Sequence, residues 1–185
     1  MTTAAASSST GNASALRNLY FVRFAFAIVW AGLMFVVGSS IGPLSAALIV
    51  LYPLFDVAAA IVDARSSRAG RSAPGLYVNI AISSLTAIGL VVAVMSGVPA
   101  VLRVWGVWAV VAGIVQLVVA LTRRELGGQW AMIASGAISV LAGTSFFLQA
   151  GAEGQTLSTV AGYATLGGIF FLVSALRLGR AAKGN

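Results

Sequence analysis

The chain has 185 residues, of which 59% are hydrophobic and 8% charged, with a mean hydropathy of +1.00; a soluble domain carries roughly a quarter charged residues. This composition cannot supply a water-facing surface, which excludes a soluble globular domain and points to an integral membrane protein. Cys and His are both absent, so disulfides, thiolate nucleophiles, imidazole bases and the commonest zinc ligands are excluded, and neither a metal nor another cofactor is expected.

The chain opens with MTTAAASSSTGNASAL, rich in Ser, Thr and Ala. Such a segment buries too little apolar surface to order itself, and residues 1–18 are expected to form a disordered tail. Asn12-Ala13-Ser14 matches a glycosylation acceptor, but in a Ser-rich tail on the cytoplasmic side it is read as a chance match. Six apolar spans follow, near Leu19 to Ser39, Pro43 to Ala64, Leu76 to Ser96, Val101 to Thr122, Ala131 to Ala150 and Ser158 to Leu176. The fold class is therefore all-α integral membrane, with a six-helix transmembrane domain over 19–177 and a basic tail over 178–185.

The net charge of +7 is distributed unevenly. Arg17 and Arg23 open the first span, Arg65, Arg68 and Arg71 follow the second, Arg123 and Arg124 the fourth, and Arg177, Arg180 and Lys183 the sixth; Arg103 alone falls on the other side. By the positive-inside rule both termini are expected in the cytoplasm, and the basic excess needs no nucleic acid. Tyr20, Tyr77, Trp105 and Trp130 fall near span ends and read as interface anchors. Trp30 and Trp108 lie deeper and read as packing residues. Arg103, outside, is a candidate partner for Glu153.

Self-comparison suggests a repeat. PLFDVAAAI (53–61) aligns with GIVQLVVAL (113–121) and GIFFLVSAL (168–176), at offsets of 60 and 55 residues; this superposes Asp56, Gln116 and Phe171. FAIVWAGLMFVV (26–37), SSLTAIGLVVAV (83–94) and AISVLAGTSFFL (137–148) superpose Gly32, Gly89 and Gly143. Three repeated helical hairpins of like orientation are the expected architecture. Close helix packing is assigned to Gly32, Gly89, Gly113, Gly143 and Gly168, with Ala109, Ala164, Ser135 and Ser139 at spacing four from a glycine or from one another.

The three-hairpin layout, the basic stretch after the second span, RVWGVWAVVAGIVQLVVALTRREL (103–126) and GQWAMIASGAISVLAGTSFF (128–147) resemble the short-repeat membrane family typified by HdeD, the acid-resistance membrane protein. The resemblance covers about residues 20–180. It implies six helices in a bacterial inner membrane and a link to acid survival, and it carries no catalytic residues.

Asp56 is the costliest residue, at about 2.5 to 3.5 kcal/mol in mid-membrane. The ten Leu, Ile, Val and Phe residues of its span return about 4 to 5 kcal/mol, so the helix inserts with a thin margin. Hairpin geometry sets Arg23 at a depth between Asp56 and Asp63, which share a helix face. Arg23 is expected to pair with Asp56, and Asp63 to sit near the headgroups beside Arg65; alternatively Arg23 snorkels and Asp56 is protonated. Gln116, Asn79, Ser83, Ser84 and Thr86 are expected to line the same interior, together with a carbonyl freed by Pro53.

The first functional expectation is a non-enzymatic protein of HdeD-like type in acid or envelope stress tolerance. Its partners would be the bilayer and either a second copy or other membrane proteins. The alternative is a small proton-linked transporter or permeation protein using Asp56. No nucleophile with its base is recognisable, so an enzyme is not expected.

Overall fold

The computed structural model describes residues 3–66, 73–126 and 129–181. Arg68, Arg71 and Lys183 lie outside the described residues. Among the described residues six α-helices follow one another: α1 (Thr3–Val37), α2 (Pro43–Ser66), α3 (Ala73–Ala93), α4 (Val98–Thr122), α5 (Trp130–Gln149) and α6 (Ser158–Ala181). Each contains a stretch long and apolar enough to cross a bilayer, where a helix satisfies its own backbone polar groups in the absence of water. The protein is a multi-pass membrane protein.

Local chemistry sets the turns. α2 starts on Pro43, whose missing N–H costs nothing at a first helical position. The Ser45 hydroxyl accepts from the Gly42 N–H at 2.8 Å and approaches the Ser40 carbonyl at 2.9 Å, which closes the α1–α2 turn. Between α3 and α4 the chain turns at Gly97, whose φ of +96° suits glycine. Where composition predicts a loose tail, α1 is helical from Thr3, ahead of the apolar stretch that opens at Ser14. Extending a helix already nucleated in the membrane is cheap, and Ala is the best residue for doing so.

The helices form a closed ring in which each touches its two sequence neighbours and α6 returns to α1. The broadest contacts are α4 with α5, α1 with α6 and α2 with α3, while α1 with α2, α3 with α4 and α5 with α6 are narrower. The closest packing therefore joins one expected hairpin to the next. Glycine is the reason at α4 and α5. An ideal Cβ on Gly143 would stand 2.5 Å from the Gly106 carbonyl oxygen, and one on Gly113 2.8 Å from that of Gly136. Gly168 meets Ala27 of α1 at 3.1 Å. Gly89 makes only an ordinary contact, 3.5 Å from Val104, and Gly32 has open space around it on the outer wall, so neither holds helices together. The reading missed Gly106 and Gly136.

The outward wall is apolar, with Val36, Leu85, Ile88, Leu141 and Leu148 exposed to where lipid lies. Inside, the half of the ring away from the termini is filled by a dry core that includes Trp30, Met34, Ile49, Leu90, Leu102 and Trp105. Trp105 and Tyr20 are corrections to the anchor reading: both are buried, whereas Tyr77 and Trp130 are exposed as anchors should be. Trp105 lies between Trp30 and Trp108, with ring centroids at 5.5 and 5.3 Å. Among the described residues no ion pair joins Arg103 to Glu153.

Gly143→Leu is expected to force α4 and α5 apart and to cost about 1 to 3 kcal/mol. A thermal melt in lipid nanodiscs measures this, with Gly32→Leu, on the open wall, as the variant expected to melt like the wild type.

Candidate functional site

The helical period turns one set of residues inward on each helix. On α1 these are Tyr20, Arg23 and Phe26, on α2 Tyr52, Asp56 and Asp63, and on α3 Leu76 and Asn79, each set recurring at three, four or seven positions. They meet around a cavity of about 120 Å³ that has lining residues from all six helices. It runs from Asp63, Arg123 and Gln129 at the end that holds the chain termini to Tyr52, Trp108 and Tyr163 near mid-span. Beyond those rings lies the dry aromatic core, so the cavity is blind on that side. By this measure a water needs about 10 to 15 Å³, so several waters or a small polar solute fit.

Asp56 is the hub. Its Oδ1 accepts from Arg23 Nη1 at 3.1 Å. Its Oδ2 accepts from Asn79 Nδ2 at 2.6 Å and from the Ser83 hydroxyl at 2.8 Å. Ser83 is oriented for this by the Trp108 indole, which donates to its oxygen at 3.0 Å. The Arg23 guanidinium and the Asn79 amide nitrogen can only donate, and the Ser83 hydroxyl can do so, a donor set that suits a carboxylate, which only accepts. Arg23 also lies over the Phe171 ring, 5.1 Å from its centroid, a favourable placement for a desolvated cation. Asp56, Gln116 and Phe171, superposed by the sequence alignment, thus line one cavity.

Asp63 is held differently from expectation. Its partner is Arg123, not Arg65: Nη1 donates to Oδ2 at 2.8 Å and Nη2 to Oδ1 at 2.9 Å, a fork-to-fork pair. The side chains are 7% and 6% exposed, against 15% for each of Asp56 and Arg23, which makes this the drier pair. It also reaches across the ring, from α2 to the residue that caps α4, while Arg23 and Asp56 join adjacent helices. Burial works against the charge on Arg123, but the hydrogen bonds and charge of Asp63 outweigh it and hold the guanidinium above its ordinary pKa. Arg65 is exposed at the end of α2.

The remaining polar groups tie helices together. Gln116 lines the cavity but donates its amide to the Met132 carbonyl at 2.9 Å, joining α4 to α5 and leaving Asp56 to others. Tyr163 donates to the Ser139 hydroxyl at 2.8 Å, joining α6 to α5. Ser84 bonds the Ile80 carbonyl of its own helix. The Trp30 indole donates to the Leu48 carbonyl at 2.7 Å, joining α1 to α2 one residue before Ile49, whose carbonyl Pro53 frees. The sequence reading missed Arg123, Trp108 and Tyr163.

No family model matches this chain, and neither a curated protein nor a solved structure does.

Removing one member of a buried ion pair costs about 3 to 5 kcal/mol. Asp63→Asn and Arg123→Gln are each expected to lose that much in equilibrium unfolding from bicelles. The double variant should lose less than the two summed, by about 1 to 3 kcal/mol; strict additivity would mean that the pair contributes nothing as a pair.

Proposed function

We propose that this is a non-enzymatic protein of HdeD-like type in a bacterial inner membrane, with both termini in the cytoplasm, and that it serves acid or envelope stress tolerance by supporting the membrane or other proteins within it. The observation that carries this reading is the commitment of both intramembrane acids. Asp56 has its two oxygens taken by Arg23, Asn79 and Ser83, and Asp63 is bidentate to Arg123. Groups used this way act as ties between helices, and a ring with an apolar outer wall suits a part that is built into a membrane. The resemblance to the HdeD family, in residues 103–126 and 128–147, supplies the link to acid.

A specific observation favours a second reading, a small proton-linked transporter or permeation protein. The cavity of about 120 Å³ touches Asp56 and Arg23, and Arg23 Nε is buried with no hydrogen-bond partner among the described residues. A solute or proton entering from the termini side would pass Asp63 and Arg123 and then reach this pair near mid-membrane.

The two readings part at Asp56→Asn. In cells lacking the protein, cytoplasmic pH is followed after an acid shock, with wild type or Asp56→Asn restored to equal membrane abundance. The proposal expects wild type to protect and the variant to protect equally per molecule while melting at a lower temperature. A folded variant that fails to protect at equal abundance moves the function to proton handling, and a wild type that does not protect removes the stress role.

Orientation is checked independently. The chain has no cysteine, so single introduced thiols report without background. Glu153→Cys, between α5 and α6, should react with an impermeant maleimide in intact cells, and Glu125→Cys, between α4 and α5, only after permeabilisation. The reverse pattern would invert the topology.

A further inference from the structure

The outer wall carries a second concavity. α5 and α6 share one of the narrower interfaces of the ring, and the end where α5 begins and α6 finishes leaves a groove of about 280 Å³. Trp130, Ala131, Ile169, Phe170, Val173 and Arg177 line it. On α6 the last four recur at one, four and eight positions and make one stripe along the helix. Ile169 and Arg177 are eight residues apart, about 12 Å of helix, and one leaflet of hydrocarbon is about 15 Å deep. The stripe therefore runs from the headgroup level almost to mid-membrane.

We propose that this groove binds one anionic phospholipid. The Arg177 guanidinium takes the phosphate, the Trp130 indole lies beside the glycerol region, and one acyl chain follows Val173, Phe170 and Ile169 inward. Each part has its physical reason. A guanidinium binds phosphate oxygens through two parallel N–H donors, an indole favours the interface because it has an apolar body and a polar edge, and an acyl chain fills a groove that would otherwise lose its packing contacts. Charge decides the lipid class. Arg177 is exposed, among the described residues no acidic side chain lines the groove, and Asp56 and Asp63 are turned inward to other arginines. The groove thus offers an unanswered cation to a headgroup that has no cation of its own.

Native mass spectrometry after stepwise delipidation tests this. The protein is reconstituted with an equimolar mixture of phosphatidylcholine and phosphatidylglycerol, and the last lipid retained is identified. Wild type is expected to keep one phosphatidylglycerol. Arg177→Gln should lower its occupancy about fivefold, the weight of one basic side chain at the surface. Val173→Trp, which fills the groove without touching the cation, should lower it as well, and Arg65→Gln, which removes an exposed cation at the end of α2, should not. Retention unchanged in both groove variants, an equal loss in Arg65→Gln, or equal retention of the two lipids would overturn the proposal. Size-exclusion profiles and helix content matching the wild type certify each variant as folded.

Discussion

A carboxylate in hydrocarbon has no water to answer its charge, so the protein must do so, and the rest of this structure is arranged around that requirement. Asp56 and Asp63 each receive a guanidinium from another helix, and Asp56 takes two further donors from α3. The donors come from α1, α3 and the end of α4, so neutralising two acids on α2 fixes the positions of three other segments. A buried pair of this kind is weak support for stability compared with an apolar core of equal shape. Its consequence is register: the pairs form only when the four segments stand at one set of depths and rotations.

Packing supplies the attraction that charge pairing does not. Lipid gives helices no hydrophobic reason to associate, so close approach through small residues has to hold the ring. At α4 and α5 the backbones meet at Gly106, Gly113, Gly136 and Gly143. Away from the termini the interior is closed by Trp30, Trp105 and their aliphatic neighbours. Toward the termini the polar side chains keep a cavity between them. The result is a ring with one sealed half and one polar half, in which permeation through the centre would require the aromatic cluster to open.

Much of this was legible in the residues. Six spans follow from composition and length alone, because hydrocarbon thickness leaves little choice. The Arg23 and Asp56 pair followed from counting residues on either side of a hairpin turn, since the rise of a helix is constant. Depth was therefore easy, and direction around the helix was not. Nearness in sequence suggests Arg65 for Asp63, yet two residues apart on a helix they point to different sides, and the partner is Arg123. Alignment groups Gly32 with Gly143, though only Gly143 faces a neighbour. Trp105 read as an interface anchor from its place near a span end, whereas its side of α4 faces inward. In a chain apolar on all faces, no hydrophobic contrast marks the inner wall, and only small or polar residues do.

The central claim is that Asp56 is an ionised tie and not a protonated acid waiting in lipid. Infrared difference spectroscopy of wild type against Asp56→Asn, in bilayers at neutral pH, tests it directly. The account predicts that the substitution removes a carboxylate stretch, with no change in the carbonyl region of protonated acids beyond the new amide band. Loss of a protonated carboxyl band instead would contradict it, and would return Asp56 to the role of a proton-carrying group.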